Sequence, residues 1–179
     1  MDQNVEQLQY PIGKFVAPET YTPAYIANQI AILAAFPTAL EQAVASLTVD
    51  QLDTPYRPDG WTIRQVVHHC VDSHINCFIR IKWALTEEEP TIKYYYEDRW
   101  AMGKDNVEMP IESSIALLKA LHYRFEYLLQ SLSASELNRT FIHPEHQKSF
   151  SIKEIIGTYA WHGKHHLAHI EQLKARMNW

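Results

Sequence analysis

The C-terminal stretch from Ser151 to Met177 carries four of the chain's ten histidines: His162, His165, His166 and His169. They form two i, i+4 pairs, and on a helix that spacing sets one ring above the other. Neutral imidazole is a common ligand for divalent transition metals, and a mononuclear site needs at least three protein ligands. Helical periodicity separates the two pairs. Ile152, Ile155, Tyr159, His162, His166, Ile170, Leu173 and Met177 share one face, so His162 and His166 stand where Leu or Ile would pack. His165 falls about a quarter turn off the centre of that face, and His169 lies near its edge. Two imidazoles in a hydrophobic seam are unfavourable unless their nitrogens find partners, and a metal ion is the partner this spacing suggests. His162 and His166 are therefore the candidate ligands. A third must come from a facing helix, where His69 and His74 are available. Periodicity alone slightly favours His74, which is mid-stripe, over His69 on the flank. Gly163 follows His162, so the glutamate base of the His-Glu-x-x-His zinc proteases is absent. A general base would come from His165, Glu97, Asp98 or Asp72.

Four amphipathic helices are expected to position these groups, giving an all-α four-helix bundle. Thr22 caps the first, with Pro23 in its opening turn, and Pro37 should kink or interrupt it. A short turn of helix follows at Thr48–Leu52. The second long helix starts at a Thr62/Gln65 capping box and runs to about Leu85. Residues 86–111 read as a loop long enough to span a helix, so the second and third helices can run parallel. The third helix covers Glu112 to about Leu132, and residues 138–150 read as loop. Ser151 and Glu154 form the capping box of the fourth. At the N-terminus, Tyr10-Pro-Ile-Gly-Lys-Phe15 reads as an extended arm whose Tyr, Ile and Phe pack on the body. His74 reads as a core or supporting group. His68, His122, His143 and His146 read as surface or loop residues.

Bulk properties exclude several functions. A formal net charge of −5 gives no footprint for nucleic acid. Five glycines without a Gly-rich loop argue against a phosphate cradle. No apolar run approaches the ~20 residues of a membrane span, and the N-terminus lacks a signal-peptide pattern, so a cytoplasmic location is expected. Cys70 and Cys77 stand roughly 10 Å apart on one helix, too far for an intrachain disulfide.

The run Trp61-Thr-Ile-Arg-Gln-Val-Val-His68-His69, followed by a helix with His162-x-x-x-His166, resembles the DinB-like superfamily of metal-binding four-helix bundles. More narrowly it resembles the YfiT-like branch, described as metal-dependent hydrolases. The likeness covers nearly the whole chain, including the Tyr10 arm, Gln51-Leu-Asp-Thr-Pro-Tyr-Arg57, Asp72-Ser-His74 and Trp161 to Ile170. It implies an up-down-down-up bundle in one domain, residues 1–179. It also implies His69 as the first metal ligand, with His162 and His166 as the other two. One divalent ion per chain is implied, with zinc the default and nickel next, together with a small-molecule substrate and a homodimer. Many relatives carry Arg-Gly-Gln after the last ligand; this chain has Leu167-Ala168-His169, which fits the narrower branch. Three imidazoles leave the ion its full charge and an open position, so hydrolysis by metal-activated water is the first reading. The alternatives are a thiol S-transferase of the bacillithiol-dependent type, which would activate a low-molecular-weight thiol on the same ion, and a metal-binding stress protein without turnover.

Overall fold

Helix starts in this chain are set by local side-chain chemistry. In the computed structural model, which describes residues 5–179, Thr48, Thr62, Ser133 and Ser151 each accept from a backbone N–H three residues on, and Gln51, Gln65, Glu136 and Glu154 reach back to complete four capping boxes. In chain order the elements are α1 (Val5–Gln9), α2 (Pro23–Val44), α3 (Val49–Leu52), α4 (Ile63–Thr86), α5 (Glu97–Ala101), α6 (Lys104–Glu108), α7 (Glu112–Gln130), α8 (Ala134–Leu137), β1 (Thr140–His143), β2 (Lys148–Ser151) and α9 (Ile152–Met177).

The four long helices form an up-down-down-up bundle, and side-chain pairs give the direction of each neighbour. Along α4 and α7, His68 meets Ser114, His74 meets His122 and Phe78 meets Phe125, so these two run parallel. Along α2 and α9, Tyr25 lies at Gly157, Phe36 at Gly163 and the Ala43 carbonyl at Lys174, again parallel. Between α4 and α9 the numbers run oppositely, with His69 at His166 and His74 at Tyr159. The same holds for α2 and α7, where Glu41 pairs with Lys119 and Leu33 with His122.

Two apolar cores fill the bundle, and every long helix passes from one to the other at the same level. One core takes Leu33 of α2, Cys77 of α4, Phe125 of α7 and Ala160 of α9. The other takes Leu40, Cys70, Leu118 and Ile170 from the same four helices. The layer between them contains His74, His122, His162 and His166. Burial of the two hydrophobic cores thus clamps a polar layer from both sides.

Several expectations change. The connection from 86 to 111 contains α5 and α6, and β1 and β2 form an antiparallel hairpin over 140–151, with Phe141 opposite Phe150, where loop was expected at 138–150. The Phe141 side chain is fully buried, which ties this short hairpin to the core. The Tyr10 arm directly follows α1 and turns rather than extending, with the Gly13 N–H donating to the Tyr10 carbonyl at 3.0 Å; Tyr10 and Phe15 contact His165 and Trp161, whereas Ile12 is 44% exposed. Helix α2 runs unbroken through Pro37. By length and composition α2 could cross a membrane, with a mean hydropathy of 1.2. In the bundle its Ile26, Ile30, Leu33, Phe36, Leu40 and Val44 stripe turns inward.

Gly163 has a packing reason. A Cβ added there would lie 3.0 Å from two ring atoms of Phe36, and that ring is itself stacked on His74 with centroids 5.2 Å apart. With His74 behind it, Phe36 has little room to yield. Gly163→Ala should therefore destabilise the protein by about 1–3 kcal/mol, overriding the ~1 kcal/mol gain in helix propensity. Thermal or urea unfolding of the variant measures this, and an increase in stability would contradict the packing account.

Candidate metal centre

Pro37 begins the chain of contacts that reaches the histidine pair. Lacking an N–H, it leaves the carbonyl of Leu33, four residues earlier, without its helical partner. His122 takes that place: its Nδ1–H donates to the Leu33 carbonyl at 2.7 Å. A carbonyl only accepts, so in the neutral ring Nε2 of His122 is left as an acceptor. His74 must then donate from Nδ1 to His122 Nε2 at 2.8 Å. The remaining nitrogen of His74, Nε2, accepts from Nδ1–H of His162 at 3.3 Å. Each tautomer follows from the one before, and the result is a His162 ring whose Nε2 carries a free lone pair. That lone pair faces His69, whose Nε2 lies 3.2 Å away.

The structure brings His69, His162 and His166 together, with one nitrogen from each within 4.8 Å of the others. Two nitrogens sharing a tetrahedral ion at ~2.0–2.1 Å would be separated by roughly 3.3 Å, close to the spacing between His69 and His162. His166 holds a buried Nδ1 that has no hydrogen-bond partner among the described residues. Burial pushes the pKa of His69 down to about 4, with His165 adding to the shift. Burial, reinforced by the neighbouring imidazoles, holds His162 and His166 well below the ordinary histidine value. All three are neutral at pH 7, the form that coordinates a metal. The donor set fits one divalent ion.

The trio opens into a cavity of about 600 Å³. Trp61, at the start of α4, covers one side with its ring 4.6 Å from that of His69. His165 and His169 are buried beside the trio rather than set aside from it. His165 stacks on Trp161, and His169 donates from Nε2 to the Gln9 carbonyl at 3.1 Å while its ring lies against Tyr56. No cysteine lines the cavity; Cys70 and Cys77 are buried in the two cores, and desolvation pushes both thiols up. Nothing among the described cavity residues closes the trio into a four-ligand site with sulfur.

Other candidates sort by position. Asp72 does not line the cavity and accepts from Asn106 at 3.0 Å, whereas His165, Glu97 and Asp98 do line it. Tyr94 and Tyr95 form part of the wall, and Tyr96 and Trp100 do not. Three histidines read as surface groups are buried instead. His68 bonds Ser114 and the Met109 carbonyl, His122 closes the relay, and His143 faces the cavity. His143, Glu145 and His146 form a second cluster of potential ligands, of which Glu145 and His146 are exposed. Beside it the Arg80 guanidinium adds positive charge and helps push His143 down to about 4, second to burial, which disfavours a cation there.

Arg80 itself has no counterpart in the sequence reading. It is 7% exposed, lines the cavity, and leaves Nε buried without an acceptor. Its guanidinium carbon sits 5.7 Å from the Tyr95 ring centroid. Such a cation–π contact, close to the ~6 Å limit of the interaction, supplies no oxygen to the buried Nε.

The chain is similar to known proteins over nearly its whole length. Residues 32–170 match the DinB superfamily. A Bacillus mycoides (strain KBAB4) protein named "Putative metal-dependent hydrolase" is 47% identical over 175 residues, covering 98% of this chain and 100% of that one. A Bacillus anthracis (strain A0248) protein with the same designation is 46% identical over the same shares. The solved structure of YfiT from Bacillus subtilis, described as a probable metal-dependent hydrolase with an unusual four-helix bundle topology, superposes with a TM-score of 0.95 at 43% identity, covering 97% of this chain and 99% of that chain.

Proposed function

The chain belongs to the DinB superfamily, and from that membership we propose that it is a metal-dependent hydrolase of small molecules whose ion is held by His69, His162 and His166. The observation that carries the reading is a trio of neutral imidazoles at the floor of a cavity of about 600 Å³, with no cysteine to close the site. A divalent ion bound there supplies Lewis acidity and lowers the pKa of a bound water toward about 7. Zinc is the first choice and nickel the second, since nitrogen donors suit both.

The chain's own groups do the rest. The Leu33–His122–His74 relay holds the His162 ring in one tautomer and one orientation, as outer hydrogen bonds do in metal sites generally. Trp61, Tyr56 and the Tyr10 arm cover the imidazoles and limit solvent access. His165 is the proton acceptor in this reading, because it lines the cavity with its ring 5.2 Å from that of His166. A homodimer belongs to the same reading; Tyr123 and Tyr127 on α7, 80% and 79% exposed, offer an aromatic outer face that supports it.

The test is a panel of esters, amides and lactones with the metal-loaded protein. Turnover should vanish with a chelator and return when the ion is restored. Consumption of a bacillithiol-type thiol with an electrophile, without hydrolysis, would replace the reading with thiol transfer. Neither activity, with metal removal only lowering the melting temperature, would leave a non-catalytic metal protein.

A further inference from the structure

The fold contains two equally buried arginines on α4, and it treats them differently. Arg64 and Arg80 are each 7% exposed. Arg64 is satisfied: Nε donates to Asp53 at 2.7 Å, and Nη1 donates to the Met109 carbonyl at 3.0 Å. Arg80 makes no hydrogen bond and no ion pair among the described residues, and its Nε is buried without a partner. Around it stand Tyr95, Tyr159, Cys77 and His143, none of them a carboxylate. Of the cavity's carboxylates, Glu97, Asp98 and Glu145 among them, none pairs with Arg80, and Glu97 accepts instead from the Tyr94 hydroxyl at 3.2 Å. A guanidinium with its Nε buried and no oxygen partner, facing a cavity, is prepared for an oxygen that arrives with a ligand.

We propose that Arg80 anchors an oxyanion subsite, so that the substrate carries a carboxylate or phosphate bound by Arg80 while its reacting bond lies at the histidine trio. The subsite stands on Arg80 alone; only the placement of the reacting bond rests on the hydrolase reading. His69, Ser73 and Arg80 share one face of α4, since eleven residues correspond to about three turns. Their ends are separated by roughly 16 Å of helix rise, and helical side chains lean toward the N-terminus, which brings the guanidinium back toward the trio. Between the two points the wall is aromatic and aliphatic, with Tyr95, Tyr159, Phe150 and Ile155. The fitting substrate is therefore bifunctional: an anionic end, an apolar spacer, and a cleavable group at the other end. Planar, bidentate recognition of carboxylate or phosphate is the chemistry for which arginine is suited over lysine.

The experiment is calorimetric titration of metal-loaded, full-length protein with inorganic phosphate and, separately, 3-phenylpropionate. At least one probe should bind wild type and bind Arg80→Gln at least tenfold more weakly, with Arg80→Lys in between. Phosphate alone assigns a phosphate subsite, and 3-phenylpropionate alone assigns a carboxylate subsite. Equal binding to wild type and Arg80→Gln, as for an anion held by the metal, overturns the proposal, as does failure of both probes to bind wild type. Thermal unfolding gives an independent check, because removing an unpaired buried charge should leave the melting temperature of Arg80→Met unchanged or raised. A drop of several degrees would show a structural arginine and overturn the proposal. Arg80-dependent binding without turnover of any ester keeps the subsite and removes the hydrolase reading; turnover with Arg80-independent binding does the reverse.

Discussion

His162→Ala should lose its metal while keeping its fold. The variant removes the ligand that the relay orients, leaving His69 and His166 as a two-nitrogen set below the three that a mononuclear site requires. A chelator-competition titration should show affinity falling by more than the ~10–100-fold that loss of an outer-shell partner costs. His74→Ala provides that internal scale. His74 is fully buried and touches no expected ion, yet it accepts from His162 Nδ1 and donates to His122. Its removal should weaken metal binding by roughly 10–100-fold and leave His122 Nε2 unsatisfied, lowering stability as well. The order matters more than either value. Full metal occupancy in His162→Ala, or a larger loss in His74→Ala than in His162→Ala, would contradict the ligand assignment.

The second large effect is on acid stability. Metal-stripped protein should hold its stability from pH 8 to about 6.5 and lose it steeply below that. Burial holds the pKa of His69, His122 and His165 at about 4 and that of His169 at about 3. An unfolded chain protonates its histidines near 6.5, so below that pH it takes up protons the native state refuses, and unfolding gains. The stability is present above the unfolded value and is lost as the pH falls toward the folded values. At pH 5 each such ring removes about 2 kcal/mol, and four of them approach the ~5–15 kcal/mol that stabilises a typical domain. Urea unfolding at a series of pH values should show the midpoint collapsing between pH 6.5 and 5. A midpoint that stays flat down to pH 4.5 would contradict a dry, neutral histidine layer. Bound metal should shift the loss to lower pH, because protons must then displace the ion as well.

The readable parts of this molecule are the local ones. Capping boxes at Thr62/Gln65 and Ser151/Glu154 involve residues three apart, so the helix starts could be placed from spacing alone. His162 and His166 stood out because periodicity places them in a seam. Periodicity slightly favoured His74 over His69, the resemblance pointed to His69, and the structure shows why the pattern was ambiguous. Both reach the site, His69 with Nε2 toward His162 Nε2 and His74 from behind through His162 Nδ1. His122 was read as a surface residue although it falls in register with Leu118, Phe125 and Leu129 on the buried stripe of α7. What hid its role is non-local: Pro37, on another helix, frees the carbonyl that His122 binds. Pro37 itself was read as a kink or an interruption, and α2 continues unbroken through it. The hairpin at 140–151 has four residues per strand, too few for alternation to register, and α5 and α6 begin without a side-chain cap. Arg80 offered a faint signal, eleven residues after His69 on the same face. Its meaning depends on the lack of an ion-pair partner among the described residues, which only three-dimensional packing reveals.

X-ray absorption at the metal edge of the protein as purified tests the central claim most directly. The account predicts one divalent ion per chain, with three imidazole nitrogens at ~2.0–2.1 Å and light-atom ligands completing the shell. An absence of metal, sulfur in the first shell, or an imidazole count that is unchanged in His162→Ala would contradict it.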